Sequence, residues 1–185
     1  MQKFKKTISR STIFLSALLL MAQLTSGQAL DKAIEKNKEL GRSFVETAMN
    51  AKSANDLVAT INRIYASDFI NHNPMVAQGR EGLINFVGAV GASFPGSKAT
   101  VKEIIANKEK VIVVWTFEGI LTGKPFLGVP ATGQKVKFDV IDWWTVKNGQ
   151  LYEHWDQIDW TTALVQLGVK EIPEPFTTIA AQKLK

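Results

Sequence analysis

The sequence predicts an α+β fold, with helices first and a curved antiparallel sheet packed against them. Three observations carry this. Apolar residues recur at three- and four-residue spacing as far as Pro95, a β-branched and aromatic pattern takes over from Lys98, and Asn148-Gly149 separates two strand-like runs. Helical runs followed by strand runs belong to a layered α+β domain rather than to alternating βαβ units. With 185 residues, 45% of them apolar, including five Trp and ten Phe, the chain can bury one substantial core without dividing into two domains.

The first ten residues carry Lys3, Lys5, Lys6 and Arg10 and no acid; the apolar run Ile13 to Leu24 follows, then small and polar residues to Ala29. This is the pattern of a secretory signal peptide over residues 1–29, since a membrane anchor needs about 20 apolar residues. The protein is therefore expected to be exported, periplasmic or secreted, with no stable membrane insertion after cleavage. Four of the 22 Lys and Arg lie in this leader, and the 18 that remain nearly balance 17 Asp and Glu. A balanced surface gives no electrostatic case for nucleic acid as a partner. There is no cysteine, so disulfides and thiolate chemistry are excluded.

The domain proper is expected over residues 30–170, with 171–185 as a C-terminal extension. Ala33, Ile34, Leu40, Phe44, Val45, Ala48 and Met49 make Leu30 to Lys52 an amphipathic helix. Leu57, Val58, Ile61 and Ile64 place a second helix over Ala54 to Tyr65, with Ser53 as its N-cap. SDFINHNP then reads as a short connection, because Pro74 disfavours helix at Asn73. Leu83, Ile84, Phe86, Val87 and Val90 form a third helix, which stops at Pro95-Gly96.

From Lys98, Val101, Glu103 and Ile105 alternate weakly, and VIVVWTFEG is continuous enough to suggest a strand covered on both faces. KVKFDVIDWWTV and QLYEHWDQIDW flank Lys147-Asn148-Gly149 as a hairpin. The loop LTGKPFLGVPATGQ is apolar at Phe126, Leu127 and Val129, which suits a lid or an interface edge.

The hairpin register decides which ionisable groups converge. A two-residue turn pairs Lys147 with Gln150 and Ile141 with Asp156. A three-residue loop pairs Val146 with Gln150, which gathers Val140, Asp142, Trp144, Tyr152, His154 and Asp156 on one face. The second register is preferred because it separates a mixed aromatic and acidic face from an openly charged one.

YEHWDQID after an Asn-Gly turn, the upstream DWWTVKNGQ, the loop FLGVPATGQ and the early FINHNPMVAQGREGLINF together resemble the SnoaL-like polyketide cyclase, or ester cyclase, branch of the nuclear-transport-factor-2-like superfamily. The resemblance runs from about Tyr65 to Gly168. It implies a cone in which three N-terminal helices and a curved sheet enclose a pocket, with a homodimer formed through the sheet. It also implies an aspartate on the last strand acting as acid and base, without metal or cofactor. Asp156 matches that position, Asp142 a second pocket residue, and His72 the pocket mouth. Thr145 and Val114 depart from the pattern, since relatives often carry arginine there.

The expected catalytic residues are thus Asp156, Asp142 and His72, and the expected substrate-binding residues are His154, Trp144, Tyr152, Phe126 and Val140. A carboxylate in an apolar pocket has its charged form disfavoured and can exchange a proton nearer neutral pH. His72, Tyr152 or Trp144 could donate to an enolate. His154 would either oppose the shift as a cation or orient Asp156 as a neutral ring. A metal site would need His72 and His154 brought together with Asp142 or Asp156; their sequence spacing gives no such sign, so no metal or cofactor is expected. The function expected is cofactor-independent cyclase, isomerase or lyase chemistry on a small hydrophobic carbonyl compound. A non-catalytic carrier of a hydrophobic ligand and a protein-association module are the alternatives.

Overall fold

The structure, a computed structural model, describes the backbone of residues 10–171 and side chains from residue 27 to 171. Residues 1–9, the start of the expected leader, and residues 172–185, nearly all of the expected C-terminal extension, lie outside the described residues. The element order is α1 (Arg10–Ser43), a π-helical turn (Phe44–Ala48), α2 (Ala54–Ile64), β1 (Tyr65–Asn71), α3 (Gly79–Ser93), β2 (Lys98–Ala106), β3 (Lys110–Ile120), β4 (Lys135–Lys147), β5 (Gln150–Ile158) and α4 (Trp160–Gln166). Among the described residues, no helix is long and apolar enough to cross a membrane.

The predicted helices form, with local reasons visible. Ser53 caps α2: its side chain accepts from the Asp56 backbone N–H at 3.1 Å, satisfying a donor that the first turn leaves open. The first helix loosens at its end, where the Met49 N–H reaches Phe44 O at 3.0 Å across five residues. That turn brings Phe44, Val45 and Ala48 onto the sheet, all essentially buried. Gly41 lets α1 approach closely, because a Cβ there would stand 2.7 Å from Val113 Cγ2.

The sheet runs β1-β5-β4-β3-β2, antiparallel except where β1 lies parallel to β5. β1 is an addition to the sequence reading, which took Ser67–Pro74 as a connection. It is short and irregular, with a register shift between Tyr65 and Ile70, and so shows little alternation. Gln78 completes its last residue like a strand neighbour, donating from Nε2 to Asn71 O at 2.6 Å and accepting from Asn71 N at 3.0 Å.

Two further readings need correction. β3 is fully covered on one face and unevenly on the other: Val111, Val113, Trp115 and Phe117 are buried inward, whereas on the outer face Thr116 is buried, Val114 half-buried and Ile112 36% exposed. The Val101, Glu103, Ile105 alternation fails because a bulge between Val101 and Glu103 shifts the phase, leaving Ile105 outward and 55% exposed.

The preferred hairpin register is also overturned. Asn148 (φ 52°) and Gly149 (φ 74°) form a two-residue turn with Lys147 opposite Gln150. A bulge between Thr145 and Val146 then shifts the ladder, so that Trp144 faces His154, Asp142 faces Asp156 and Val140 faces Ile158. Parity is restored, and the inward face keeps Val140, Asp142, Trp144, His154 and Asp156. Tyr152 is displaced from it: at the bulge it turns outward, beneath Lys147 Nζ at 4.1 Å from its ring. Leu151 takes the inward place and is fully buried.

Candidate active site

The inner face of the sheet, the π-helical turn, α3 and α4 surround a narrow cavity of about 50 Å³. Its wall is dominated by apolar and aromatic side chains, Phe44, Phe86, Phe94, Trp115, Phe117 and Phe138 among them. The ionisable side chains in the lining are Asp142, His154 and Asp156. A pocket this apolar, with a few convergent polar groups, is the default place to look for ligand binding.

Alternation on β4 and β5 delivers these three groups to one point, where one ligand-capable atom of each lies within 4.8 Å of the others. They are not equivalent. Asp142 is nearly fully buried and both of its oxygens are engaged: Oδ1 lies 2.7 Å from His154 Nε2, and Oδ2 accepts from the Trp115 indole N–H. His154, equally buried, places Nδ1 3.1 Å from Asn71 Oδ1. Asp156 is only partly covered. Its Oδ2 accepts from Asn73 Nδ2 at 2.6 Å, and no donor among the described residues engages Oδ1.

Burial pushes the Asp156 carboxyl above its ordinary value; His154 opposes this, Asp142 adds to it, and the Asn73 hydrogen bond opposes it. Tyr65, behind the site, is likewise raised by burial and then by the Asp142 charge, and its hydroxyl accepts from Trp144 Nε1 at 3.0 Å. Asp156 is therefore the carboxyl that meets the cavity with a free oxygen and a proton affinity increased by its surroundings. Asp142 serves as the fixed partner of Trp115 and His154.

The expected residues divide accordingly. Asp156, Asp142, His154, Val140 and Phe126 line the cavity. Phe126 reaches it because Leu127 (φ 49°) and Gly128 (φ 81°) turn the loop tightly enough for Phe126 and Val129 to pair, setting its ring edge-on to Phe94 at 5.2 Å. Trp144 is completely buried and stacks on His154 at 5.1 Å, so it backs the site instead of lining it. Tyr152, outward at the bulge, does not reach the cavity.

His72 is also outside: its ring stacks on Trp155 at 4.2 Å on the outer face of the sheet, with Nε2 3.9 Å from Glu153. Neither His72 nor Tyr152 can donate to a ligand in the cavity. The two histidines are not brought together, so the two-histidine ligand set does not form. Among the described residues the remaining cluster is Asp142, His154 and Asp156, in which the His154–Asp142 contact already occupies the ring nitrogen facing the carboxylates.

The sequence reading missed the two asparagines that flank His72. Strand parity turns Asn71 and Asn73 inward where it turns His72 out, and both are buried. A local signal existed: in Asn-His-Asn-Pro, each asparagine side chain accepts from a backbone N–H two residues on, Asn71 from Asn73 at 3.2 Å and Asn73 from Met75 at 2.7 Å. The contribution of α4 was missed as well, and with it Trp160, which lines the cavity 6.2 Å from Phe126.

Comparison with known proteins agrees with the fold. The family model described as SnoaL-like polyketide cyclase matches residues 42–167. None of the curated proteins matches the chain. Similar solved structures include TsrD from Streptomyces laurentii, with 23% identity and a TM-score of 0.65 over 73% of this chain and 96% of that one. AclR from Streptomyces galilaeus, a candidate hydroxylase, shows 22% identity and a TM-score of 0.63 over 82% and 93%. IdmH from Streptomyces antibioticus, a candidate polyketide cyclase, shows 27% identity and a TM-score of 0.57 over 71% and 97%.

Proposed function

The chain belongs to the SnoaL-like polyketide cyclase family, and from that premise we propose that it performs cofactor-independent acid/base chemistry on a small hydrophobic carbonyl compound, of cyclase, isomerase or lyase type, with Asp156 as the proton-transferring group. One observation carries the reading: Asp156 lines an apolar cavity with an Oδ1 that no donor among the described residues engages, and its proton affinity is raised by burial. In the carboxylate form, Oδ1 takes a proton from the carbon beside a carbonyl, leaving an enolate. The enolate attacks a second carbonyl of the same molecule or is reprotonated elsewhere, and the Asp156 carboxyl returns the proton to the product. A carboxyl tuned toward working pH is suited to both halves of that exchange.

The apolar walls also favour a second reading, a carrier that holds a hydrophobic ligand without converting it. Hydrogen–deuterium exchange separates the two. The protein is mixed with a panel of ketones and β-keto esters in deuterated water, and exchange at carbon is followed by NMR beside Asp156→Asn. Exchange that the variant loses while still binding the ligand supports catalysis; binding with no exchange by either form supports the carrier.

Two features of the biological setting belong to the same proposal. The leader, residues 1–29, directs export to the periplasm or medium and is removed, which the N-terminal mass of protein recovered outside the cytoplasm would test. Two copies associate through the outer sheet face, where Ile105, Ile112, Trp143 and Trp155 are successive cross-strand neighbours. Exposed apolar rows of this kind mark association surfaces.

A further inference from the structure

We propose that Asn71 is a positioning residue: by accepting from both the Asn73 backbone N–H and the His154 ring, it fixes a proton on His154 Nδ1 and thereby sets the net charge that stands beside Asp156. The inference concerns residues with no role in the proton transfer itself, and its bearing on catalysis rests on Asp156 being the acid/base group.

The argument is an accounting of donors and acceptors. The Asn73 N–H lies 3.2 Å from Asn71 Oδ1, and a backbone N–H can only donate. Rotating the Asn71 amide by half a turn would set an NH2 group against that N–H, so the oxygen is fixed where it is. An oxygen that accepts cannot donate to His154 Nδ1, 3.1 Å away; the ring nitrogen therefore carries the hydrogen. Nε2 then meets Asp142 Oδ1 at 2.7 Å across a bond that must hold one more proton. Either Nε2 keeps it, giving imidazolium and carboxylate, or Asp142 keeps it, giving neutral ring and neutral acid. Both arrangements leave the pair with no net charge.

Without the Asn71 acceptor the accounting changes. Nδ1 no longer needs a hydrogen, and Nε2–H donating to an ionised Asp142 satisfies the remaining bond, so the pair carries one negative charge. Asn71 thus removes a full negative charge from a point within 4.8 Å of Asp156. The groups that face this point are Asn71 and Phe69 from β1, Asn73 from the loop after it, Trp115 from β3, whose indole N–H is held by Asp142, Asp142 and Trp144 from β4, Asp156 from β5, and Phe44 from the π-helical turn, with Tyr65 behind Trp144. None of them supplies a cation in place of His154.

Asn71 is built to stay in place. Gln78 clamps its backbone from both sides, and its own Nδ2 is buried without a hydrogen-bond partner among the described residues. An unpartnered buried amide is an uncommon cost, and it is tolerated here at a residue whose oxygen does two jobs.

The chain has two histidines, so 15N-histidine labelling of the folded protein with a His72→Gln control assigns both rings. At about pH 7, wild-type His154 should show a protonated Nδ1; Asn71→Leu should convert it to a bare nitrogen, and Asn71→Asp, which keeps an acceptor, should restore the protonated form. A bare Nδ1 in the wild type, or an Asn71→Leu spectrum identical to it, overturns the proposal. Should Asn71→Leu fail to fold, Asn71→Ser replaces it, since its shorter side chain ends short of Nδ1.

The second readout is the pH midpoint of Asp156-dependent carbon exchange, which an added negative charge should move upward by about 1 unit in the Leu variant. An unmoved midpoint overturns the charge-setting role. If no exchange is found with any substrate, the acid/base reading of Asp156 fails, and the ring-nitrogen spectra still decide the assignment for Asn71.

Discussion

Asn73 Nδ2 and Asp156 Oδ2 lie 2.6 Å apart, joining the loop after β1 to the last strand across 83 residues of sequence. The contact holds one oxygen of the carboxylate and leaves the other to the cavity. It also opposes burial, because a donor to the charged form favours ionisation.

Asn73→Ala should therefore raise the pH midpoint of any Asp156-dependent activity. It also removes the acceptor for the Met75 N–H, so the turn that carries Asn73 loosens. A hydrogen bond to a charged group together with a lost turn contact corresponds to about 2 to 3 kcal/mol of stability. Urea unfolding reports the second effect and the pH profile the first. A destabilised variant with an unmoved midpoint would show that Asn73 serves the turn alone.

Asp156→Asn should stabilise the protein at neutral pH. Burial makes the folded chain hold the Asp156 proton more tightly than the unfolded chain does. Its contribution is present below the ordinary carboxylate range and is lost as pH rises through the raised folded value. The uncharged amide escapes that loss, so its Tm should exceed the wild type's at pH 7 and converge with it near about pH 3. If Asp156 is the proposed acid/base group, its cost in stability is the usual form of the trade between stability and activity.

The three helices and the existence of the β2 to β5 meander were legible in the sequence from local periods, and the inward face of Asp142, His154 and Asp156 survived because the bulge in the β4–β5 ladder left the parity of these three residues unchanged. The register was not legible. The two-residue turn and the bulge between Thr145 and Val146 compensate each other, so the wrong loop length predicted almost the right face, and the error falls on the bulge itself, where Leu151 turns inward in place of Tyr152. His72 illustrates a different limit. The segment around it carries too few apolar residues to reveal a strand, and without the strand nothing showed that the histidine faces outward while its asparagine neighbours face in. Trp144 read as a pocket wall because periodicity gives a residue's face and not its depth.

Tyr65 should remain un-ionised until the fold opens. Its hydroxyl is buried, receives the Trp144 N–H at 3.0 Å and is held above the usual tyrosine value by burial and by Asp142. In a Tyr152→Phe background it is the sole tyrosine. The phenolate absorbance of that variant should then appear only with alkaline unfolding, since stability tied to a raised tyrosine is lost as pH rises. Tyr65→Phe leaves the indole N–H of Trp144 buried without an acceptor, which should cost about 1 to 3 kcal/mol in chemical denaturation.

Gly123→Ala should disturb the loop that carries Phe126. A Cβ at Gly123 would stand 1.9 Å from Ala92 O, a backbone atom that cannot swing aside. The same junction is tied by Gly123 N to Ser93 O and Lys124 N to Ala92 O, both at 3.0 Å. Overpacking against fixed backbone costs about 1 to 3 kcal/mol. Because Phe126 covers the cavity from this loop, ligand affinity should fall more than the loss of global stability explains. Parallel unfolding and binding titrations check that difference.

Ile112 and Ile141, 36% and 40% exposed on the outer face of adjacent strands, separate self-association from stability. Each lies beside a partner in the apolar rows, Ile112 opposite Trp143 and Ile141 opposite Val114. Lysine at both positions places two charges in the face without touching the cavity or the core. If two copies meet there, Ile112→Lys/Ile141→Lys should halve the mass measured by light scattering, with Tm lowered only by the lost association. A wild type that is already monomeric at high concentration would instead leave the Trp143–Trp155 stack, with its 5.8 Å ring spacing, as a device for stiffening the hairpin.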